Sequence, residues 1–173
     1  MIEQQVLEGL DGLQWLGSGE EASRVLGISQ ATVSRYSQRA LKLFGLGMER
    51  QEGEWQLTGD ATFLQLERRV HQVARRMGHR PLRLEATYWS APTLCADLPA
   101  SWRLGRSNIV GVARNLQLVQ ERIVDAWIAG LPDLPGADHP ELSAIVLSHM
   151  PVVFTRSEEH TSELQSPCNL VCR

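Results

Sequence analysis

The chain has 173 residues, 43% hydrophobic and 21% charged, enough for one ordinary domain or a small one joined to part of a second, and too short for most two-domain enzymes. That balance excludes wholesale disorder and fibrous repeats. Lys and Arg total 17 against 20 Asp and Glu, a net charge of −3, which argues against a uniformly basic coat but allows one basic face.

At the start, Ile2, Val6, Leu10, Leu13 and Leu16 recur at steps of three and four and predict a helix ended by Gly17. Ser18-Gly19-Glu20-Glu21 reads as a capping box, Ser18 taking the Glu21 amide and the Glu21 carboxylate returning to the cap, and opens a short helix to Leu26. Gly27-Ile28-Ser29 is a tight turn, with Ser29 placed to cap a third helix from Gln30 to about Phe44. The inward face of that helix is Val33, Tyr36 or Ser37, Ala40 and Phe44; Ala31, Ser34, Arg35, Gln38, Arg39 and Lys42 lie opposite. Two short helices around a glycine turn, the second polar and basic outside, form the pattern of a helix-turn-helix.

Charge concentrates there. Residues 1–80 hold ten basic and ten acidic side chains, yet 22–48 contain Arg24, Arg35, Arg39 and Lys42 and no carboxylate. Such a run attracts phosphates, although an ordinary amphipathic helix with a solvated face carries similar charges. Met48 to Leu57 is polar around Gly53 and suits a hairpin, with Arg50 as its cation. Phe63, Leu66, Val70, Val73 and Met77 then step as a heptad seam flanked by Arg68, Arg69, Arg75 and Arg76. A seam this short suits pairing with a second copy, giving a homodimer or higher oligomer; the alternative is a helix lying on its own domain.

Gly78-His79-Arg80-Pro81 breaks that helix, and Leu82 to Ala86 alternates as a strand. Beyond it we expect an interrupted helix over Ala91–Trp102, a strand over Asn108–Ala113, a helix over Leu116–Ala129, and strands over Ser143–Leu147 and Val152–Phe154. Alternating strand and helix implies a mostly parallel α/β sheet, of which only the opening is present. From Arg156 the text RSEEHTSELQSPCNLVCR has no apolar period, and its back-translation over Arg156–Ser166 resembles a common sequencing-library adapter. Residues 156–173 are therefore expected to be a non-native tail outside the fold, with the native chain continuing past about Thr155. On that reading Cys168 and Cys172 are neither zinc ligands nor a redox pair.

The succession Leu26-Gly27-Ile28-Ser29-Gln30-Ala31-Thr32-Val33-Ser34-Arg35, Glu49-Arg50, Leu57-Thr58 and the helix over 61–77 resembles the amino-terminal half of LysR-type transcriptional regulators, more weakly through Leu82 to Phe154. The resemblance implies a winged helix-turn-helix over 1–59, a linker and dimerisation helix over 60–78, and over 82–155 the incomplete first part of an α/β effector domain like the periplasmic binding proteins. It implies a DNA-binding regulator that answers a small-molecule effector in the complete protein. Ser29, Gln30, Thr32, Ser34, Arg35, Arg39 and Arg50 would face double-stranded DNA. Phe63, Leu66, Val70, Val73 and Met77 would pair protomers, and Thr87, Ser90 and Thr93 would meet the effector. Chemistry permits these roles, since Gln pairs bidentately with adenine, Arg with guanine or phosphate, and a helix amino terminus favours phosphate; for Thr87, Ser90 and Thr93 general capping preference favours the alternative, that they cap the next helix. The chain departs from the family pattern at Tyr36-Ser37, at Leu43–Arg50, and at Leu57-Thr58-Gly59-Asp60-Ala61.

An enzyme would need a nucleophile, a base or a ligand cluster. His71, His79, His139 and His149 make no metal pair at a recognised spacing, Gly105-Arg106 is no phosphate loop, and Cys95 reads as a buried thiol. Neither catalysis nor a cofactor is expected. The rival to a regulator is a dimerising interaction module, or a truncated regulator without effector response. Three cysteines, an odd number, fit a reducing compartment. No stretch approaches the roughly 18 apolar residues of a membrane span, and Met1 to Gln5 has neither basic flank nor apolar signal core. A cytoplasmic chain with no membrane partner is the expectation.

Overall fold

A computed structural model describes residues 3–107, 112–130, 133–134, 136 and 139–149, with the backbone of 168–172. It is a mixed helix-and-sheet chain. Three helices come first: α1 (Gln4–Leu16), α2 (Gly19–Leu26) and α3 (Gln30–Phe44). Each ends at a glycine in the left-handed region, Gly17, Gly27 and Gly45, with φ of 72°, 69° and 66°. A side chain at these positions would be strained, so the glycines set the stops.

Ser18 caps α2 by accepting from the Glu21 amide at 3.2 Å. The return half of the expected capping box is replaced: the Glu21 carboxylate binds Arg24, at 2.7 Å to Nη2 and 3.2 Å to Nε. A charged guanidinium one turn on is a stronger partner than a neutral amide. Helix α3 buries Val33, Ser37 and Ala40, and Tyr36 is half-buried with its hydroxyl donating to Gln5 Oε1 at 3.1 Å. Between the two candidates for that inward position, the small residue is the one fully inside. The close crossing of α1 and α3 explains why: a Cβ on Gly9 would lie 2.5 Å from Tyr36 Cβ. Val6, Leu7, Leu10, Ala40, Leu46 and Leu64 fill this crossing.

Strands β1 (Gly47–Gln51) and β2 (Glu54–Thr58) form an antiparallel hairpin. Its two-residue turn, Glu52-Gly53, has φ of 50° and 86°, the primed geometry whose twist matches paired strands. Helix α4 (Thr62–Arg76) follows. Asp60 serves its first turn, accepting from Thr62 N at 3.0 Å and Thr62 Oγ1 at 2.6 Å.

The remainder holds a five-stranded sheet of order β4-β3-β5-β7-β6, formed by β3 (Leu82–Ala86), β4 (Trp102–Leu104), β5 (Ala126–Gly130), β6 (Ser143–Ser148) and β7 (Cys168–Cys172). Helices α5 (Ala91–Leu94) and α6 (Val112–Gln120) join it. β3 is parallel to β4 and β5, whereas β7 is antiparallel to both β5 and β6, so the sheet is mixed rather than mostly parallel.

Several expectations are corrected here. The interrupted helix over 91–102 is a single turn, α5, followed by β4. Of the strand expected over 108–113, residues 108–111 lie outside the described residues and 112–113 open α6. The helix expected over 116–129 stops at Gln120, and Ala126–Gly130 is a strand buried at every position. A fully buried strand has no alternation to separate it from a buried helix. Val152–Phe154 lies outside the described residues. The tail expected outside the fold contributes β7, filling the gap between β5 and β6. Strand pairing is carried by backbone groups, which any extended segment without proline supplies.

The sheet and the three helices share one apolar cluster. Trp15, Leu16, Ala22 and Val33 pack with Leu118, Val119, Ile123, Val124 and Trp127. A second cluster, with Leu84, Ala86, Cys95, Ala126 and Ile128, lies on α5's side of the chain.

Candidate nucleic-acid interface

The third helix presents its amino-terminal turns outward from a built platform. Ser29 Oγ accepts from the Thr32 amide at 3.1 Å and lies 2.8 Å from Thr32 Oγ1, and Arg35 Nη2 donates to the same Thr32 oxygen at 3.1 Å. Steps of three along a helix put Ser29, Thr32 and Arg35 in one row. The row therefore begins with a cap, continues through a hydroxyl and ends on a guanidinium held at a defined height. Gln30, Ser34, Arg35 and Gln38 are exposed beside it.

The tertiary structure changes the charge count of this face. Arg24 pairs with Glu21 at 2.7 Å, an interaction that raises the Arg24 pKa, chiefly through that hydrogen bond. Arg39 pairs across the α1–α3 crossing with Glu3 at 3.0 Å. Of the four cations of 22–48, only Arg35 and Lys42 have no carboxylate partner among the described residues. Exposed pairs such as these contribute little to stability, so Arg39 can release Glu3 for a phosphate at small cost. Glu3 and Glu21 lie outside the 22–48 window, and only the Glu21–Arg24 pairing has a signal in the sequence, its spacing of three.

The hairpin stands beside α3. Arg50 lies 5.7 Å from the centre of the Trp55 ring and donates from Nε to Gly53 O at 2.9 Å. This stacks the cation on the hairpin and aims it by its own turn. Trp55 in turn donates to Gly17 O at 3.1 Å, fixing the hairpin to the end of α1. Between α3 and the hairpin runs a cleft of about 300 Å³, with Val33, Leu41, Met48 and Trp55 in its wall and Gln30 and Ser34 bordering it. No period in the sequence marks Trp55, an indole in an otherwise polar hairpin.

The heptad positions of α4 face solvent: Phe63 is 73% exposed, Leu66 56%, Val70 49%, Val73 49% and Met77 69%. The face that α4 buries against its own chain is polar, with Arg68, His71, Gln72 and Arg75 beside Leu64. Of the four arginines read as flanking the seam, Arg69 and Arg76 are exposed, while Arg68 and Arg75 turn inward. Arg68 binds Asp11 at 2.9 Å and Glu121 at 2.8 Å, and Arg75 binds Asp125 at 2.7 Å.

Thr87, Ser90 and Thr93 sit where β3 leads into α5. Ser90 is fully buried, accepts from the Thr87 amide at 3.1 Å and lies 2.7 Å from Thr87 Oγ1. Thr93 Oγ1 donates to Ser90 O at 3.1 Å. These hydroxyls close a loop on itself, and a ligand reaching them would have to replace those bonds. Among the described residues no group of three or more His, Cys, Asp or Glu is arranged to hold a metal, and no helix is long and apolar enough to cross a membrane.

No family model and no curated protein matches the chain. Solved structures do. They include full-length OxyR C199D from Pseudomonas aeruginosa, at 17% identity and a TM-score of 0.46, with 85% of this chain and 55% of that one covered. CrgA from Neisseria meningitidis, described as a LysR-type transcriptional regulator, is 18% identical with a TM-score of 0.35, covering 86% and 54%. CbnR in complex with its target DNA is 17% identical with a TM-score of 0.37, covering 85% and 56%. These solved neighbours are LysR-type regulators. The chain spans about half the length of each.

Proposed function

We propose that this chain is the DNA-binding part of a LysR-type transcriptional regulator, a winged helix-turn-helix in which α3 enters the major groove and the β1–β2 hairpin follows the backbone. The observation that carries the reading is the Ser29–Thr32–Arg35 row, a capped helix start ending on a guanidinium with no carboxylate partner among the described residues. A helix amino terminus and an aligned arginine suit phosphate and guanine respectively. Gln30 and Ser34 complete the base-facing surface, with Arg39 and Arg50 on phosphates. Two copies pair through Phe63, Leu66, Val70, Val73 and Met77, so the operator has two half-sites. In the longer protein an α/β domain continuing past the residues present here answers a small molecule near Thr87, Ser90 and Thr93, and no catalysis is involved.

Selection of a bound duplex from a random library, followed by a gel-shift titration, tests this. Arg35→Ala is expected to weaken binding by about 1–3 kcal/mol, roughly five- to 150-fold, with relaxed preference at one base pair. Equal affinity of the wild type and Arg35→Ala, or retention that ignores sequence at every salt concentration, overturns it. The exposed seam also suits an interaction module that pairs without DNA. A dimer that leaves duplex DNA unbound at low salt would establish that second reading.

A further inference from the structure

One cluster of charge belongs neither to the DNA-facing surface nor to the seam. Gln65, Arg69 and Arg76 follow one another at steps of four and seven along α4, which places them in a stripe between the apolar seam and the buried face that holds Gln72. Arg122 faces this stripe from the turn after α6. Its φ is 59°, and its carbonyl is held by Arg75 Nη2 at 2.9 Å. The Arg122 side chain is only 15% exposed and its ion-pair contact, Glu141, is at 4.0 Å, the limit for a salt bridge. Burial, then the like charges of Arg69 and Arg76, push its pKa down. Among the described residues neither Arg69 nor Arg76 has a carboxylate partner.

Arg69 has no carboxylate partner among the described residues and Arg122 only Glu141 at 4.0 Å, so the positive charge here is incompletely offset, and like charges at short range raise the energy of a folded chain. A cleft of about 430 Å³ opens at this point, bordered by Gly59, Asp60, Thr62, Gln65, Arg69 and Arg122. The Asp60 carboxylate is committed to Thr62, through both its amide and its hydroxyl. The cleft is of small-molecule size.

We propose that the cleft between α4 and the Arg122 turn binds a small phosphorylated ligand carrying at least two phosphoryl charges, held by Arg69 and Arg122, which border it, with Arg76 adding positive charge two turns farther along α4. Guanidinium forks match phosphoryl oxygens in geometry, and two or more negative charges are needed to offset three positive ones. Because the stripe borders the exposed seam, such a ligand would lower the repulsion carried to any helix packed there.

Inorganic pyrophosphate is the probe, titrated by calorimetry into the full chain at constant ionic strength set with chloride. Saturable binding is expected, weakened at least tenfold by Arg69→Gln and by Arg122→Asn, the latter chosen because asparagine tolerates a positive φ. If Arg122→Asn does not fold, Arg69→Gln and Arg76→Gln on the exposed surface carry the test. Arg35→Ala should bind pyrophosphate as the wild type does. Heats no larger than those of chloride, or binding unchanged by Arg69→Gln, overturn the proposal. So does the finding that Arg69→Gln weakens duplex DNA retention while pyrophosphate fails to bind, since the stripe then serves nucleic acid. None of these outcomes depends on the result of the Arg35 titration.

Discussion

Asp11 shows how a single side chain sets the character of the interior. It is buried, accepting from Arg68 at 2.9 Å and Arg83 at 3.3 Å, while Asp125 takes Arg75 at 2.7 Å and the Arg83 amide at 2.9 Å. Arg83 also donates to Ile123 O at 2.9 Å and lies 5.7 Å from the centre of the Trp15 ring. Burial is the largest influence on Arg83 and lowers its pKa, with Arg75 acting the same way and Asp11, Glu8 and Asp125 opposing. Removing one partner leaves the other charge buried and uncompensated. Arg68→Ala is therefore expected to destabilise the chain by about 3–5 kcal/mol, against about 0.5 kcal/mol or less for the exposed neighbour Arg69→Ala. Urea unfolding of the two variants checks this, and equal midpoints would show that the cluster contributes nothing beyond solvated pairs.

Helix α4 is amphipathic in reverse. Its heptad residues face out while Arg68 and Arg75 face in, because the surface it meets within its own chain is the acidic ring of Asp11, Glu121 and Asp125. The chain itself thus leaves the seam exposed, and a row of five large apolar side chains is a poor surface to leave in water. Leu66→Lys together with Val70→Lys is expected to shift sedimentation equilibrium from dimer to monomer. Because both positions are solvent-facing in the single chain, the far-ultraviolet spectrum should not change. A monomeric wild type, or a dimer indifferent to the double change, would remove α4 from the pairing surface. The hairpin is an element of the opposite kind: its turn is decided by two residues, and its position by one indole reaching Gly17.

At the scale of the whole molecule, the end of α1 is locked to the sheet. Trp15 Nε1 donates to Glu85 Oε2 at 2.7 Å, and the Ser107 amide donates to Glu85 Oε1 at 3.0 Å. Arg106 donates to Leu16 O at 2.9 Å, and Arg114 donates to Trp15 O while binding Glu54 at 2.9 Å. A side chain on Gly105 would overlap the Glu85 carboxylate, so the glycine leaves room for this junction. Burial pushes the Glu85 pKa above its ordinary value of 4.5, and outweighs Arg114, the Trp15 and Ser107 hydrogen bonds, and Arg106, all of which lower it. A carboxyl with a raised native pKa binds its proton more tightly when folded. Its contribution is full below the ordinary value and is lost as pH rises through the native one. Glu85→Gln should remove that decline, flattening the melting temperature against pH from 4.5 upward. A slope identical to that of the wild type would mean that another group titrates there.

What the sequence alone determined lies mostly in residues 3–77, where the signals are local. Caps at Ser18 and Ser29, glycine stops at Gly17 and Gly27, and periods of 3.6 set the helix limits within a residue or two. The base-facing candidates on α3 are legible for the same reason, since a helix of known phase has a known outer face. Tertiary structure decided what depends on partners distant in the chain: Glu3 on Arg39, the inward turn of Arg68 and Arg75, and Arg122 opposite Arg69 and Arg76. It also decided the sheet, where the buried β5 reads like a helix and β7 comes from a segment with no apolar period. Strand partners are chosen by backbone hydrogen bonds across space, and no spacing along the chain records which edge a strand will meet.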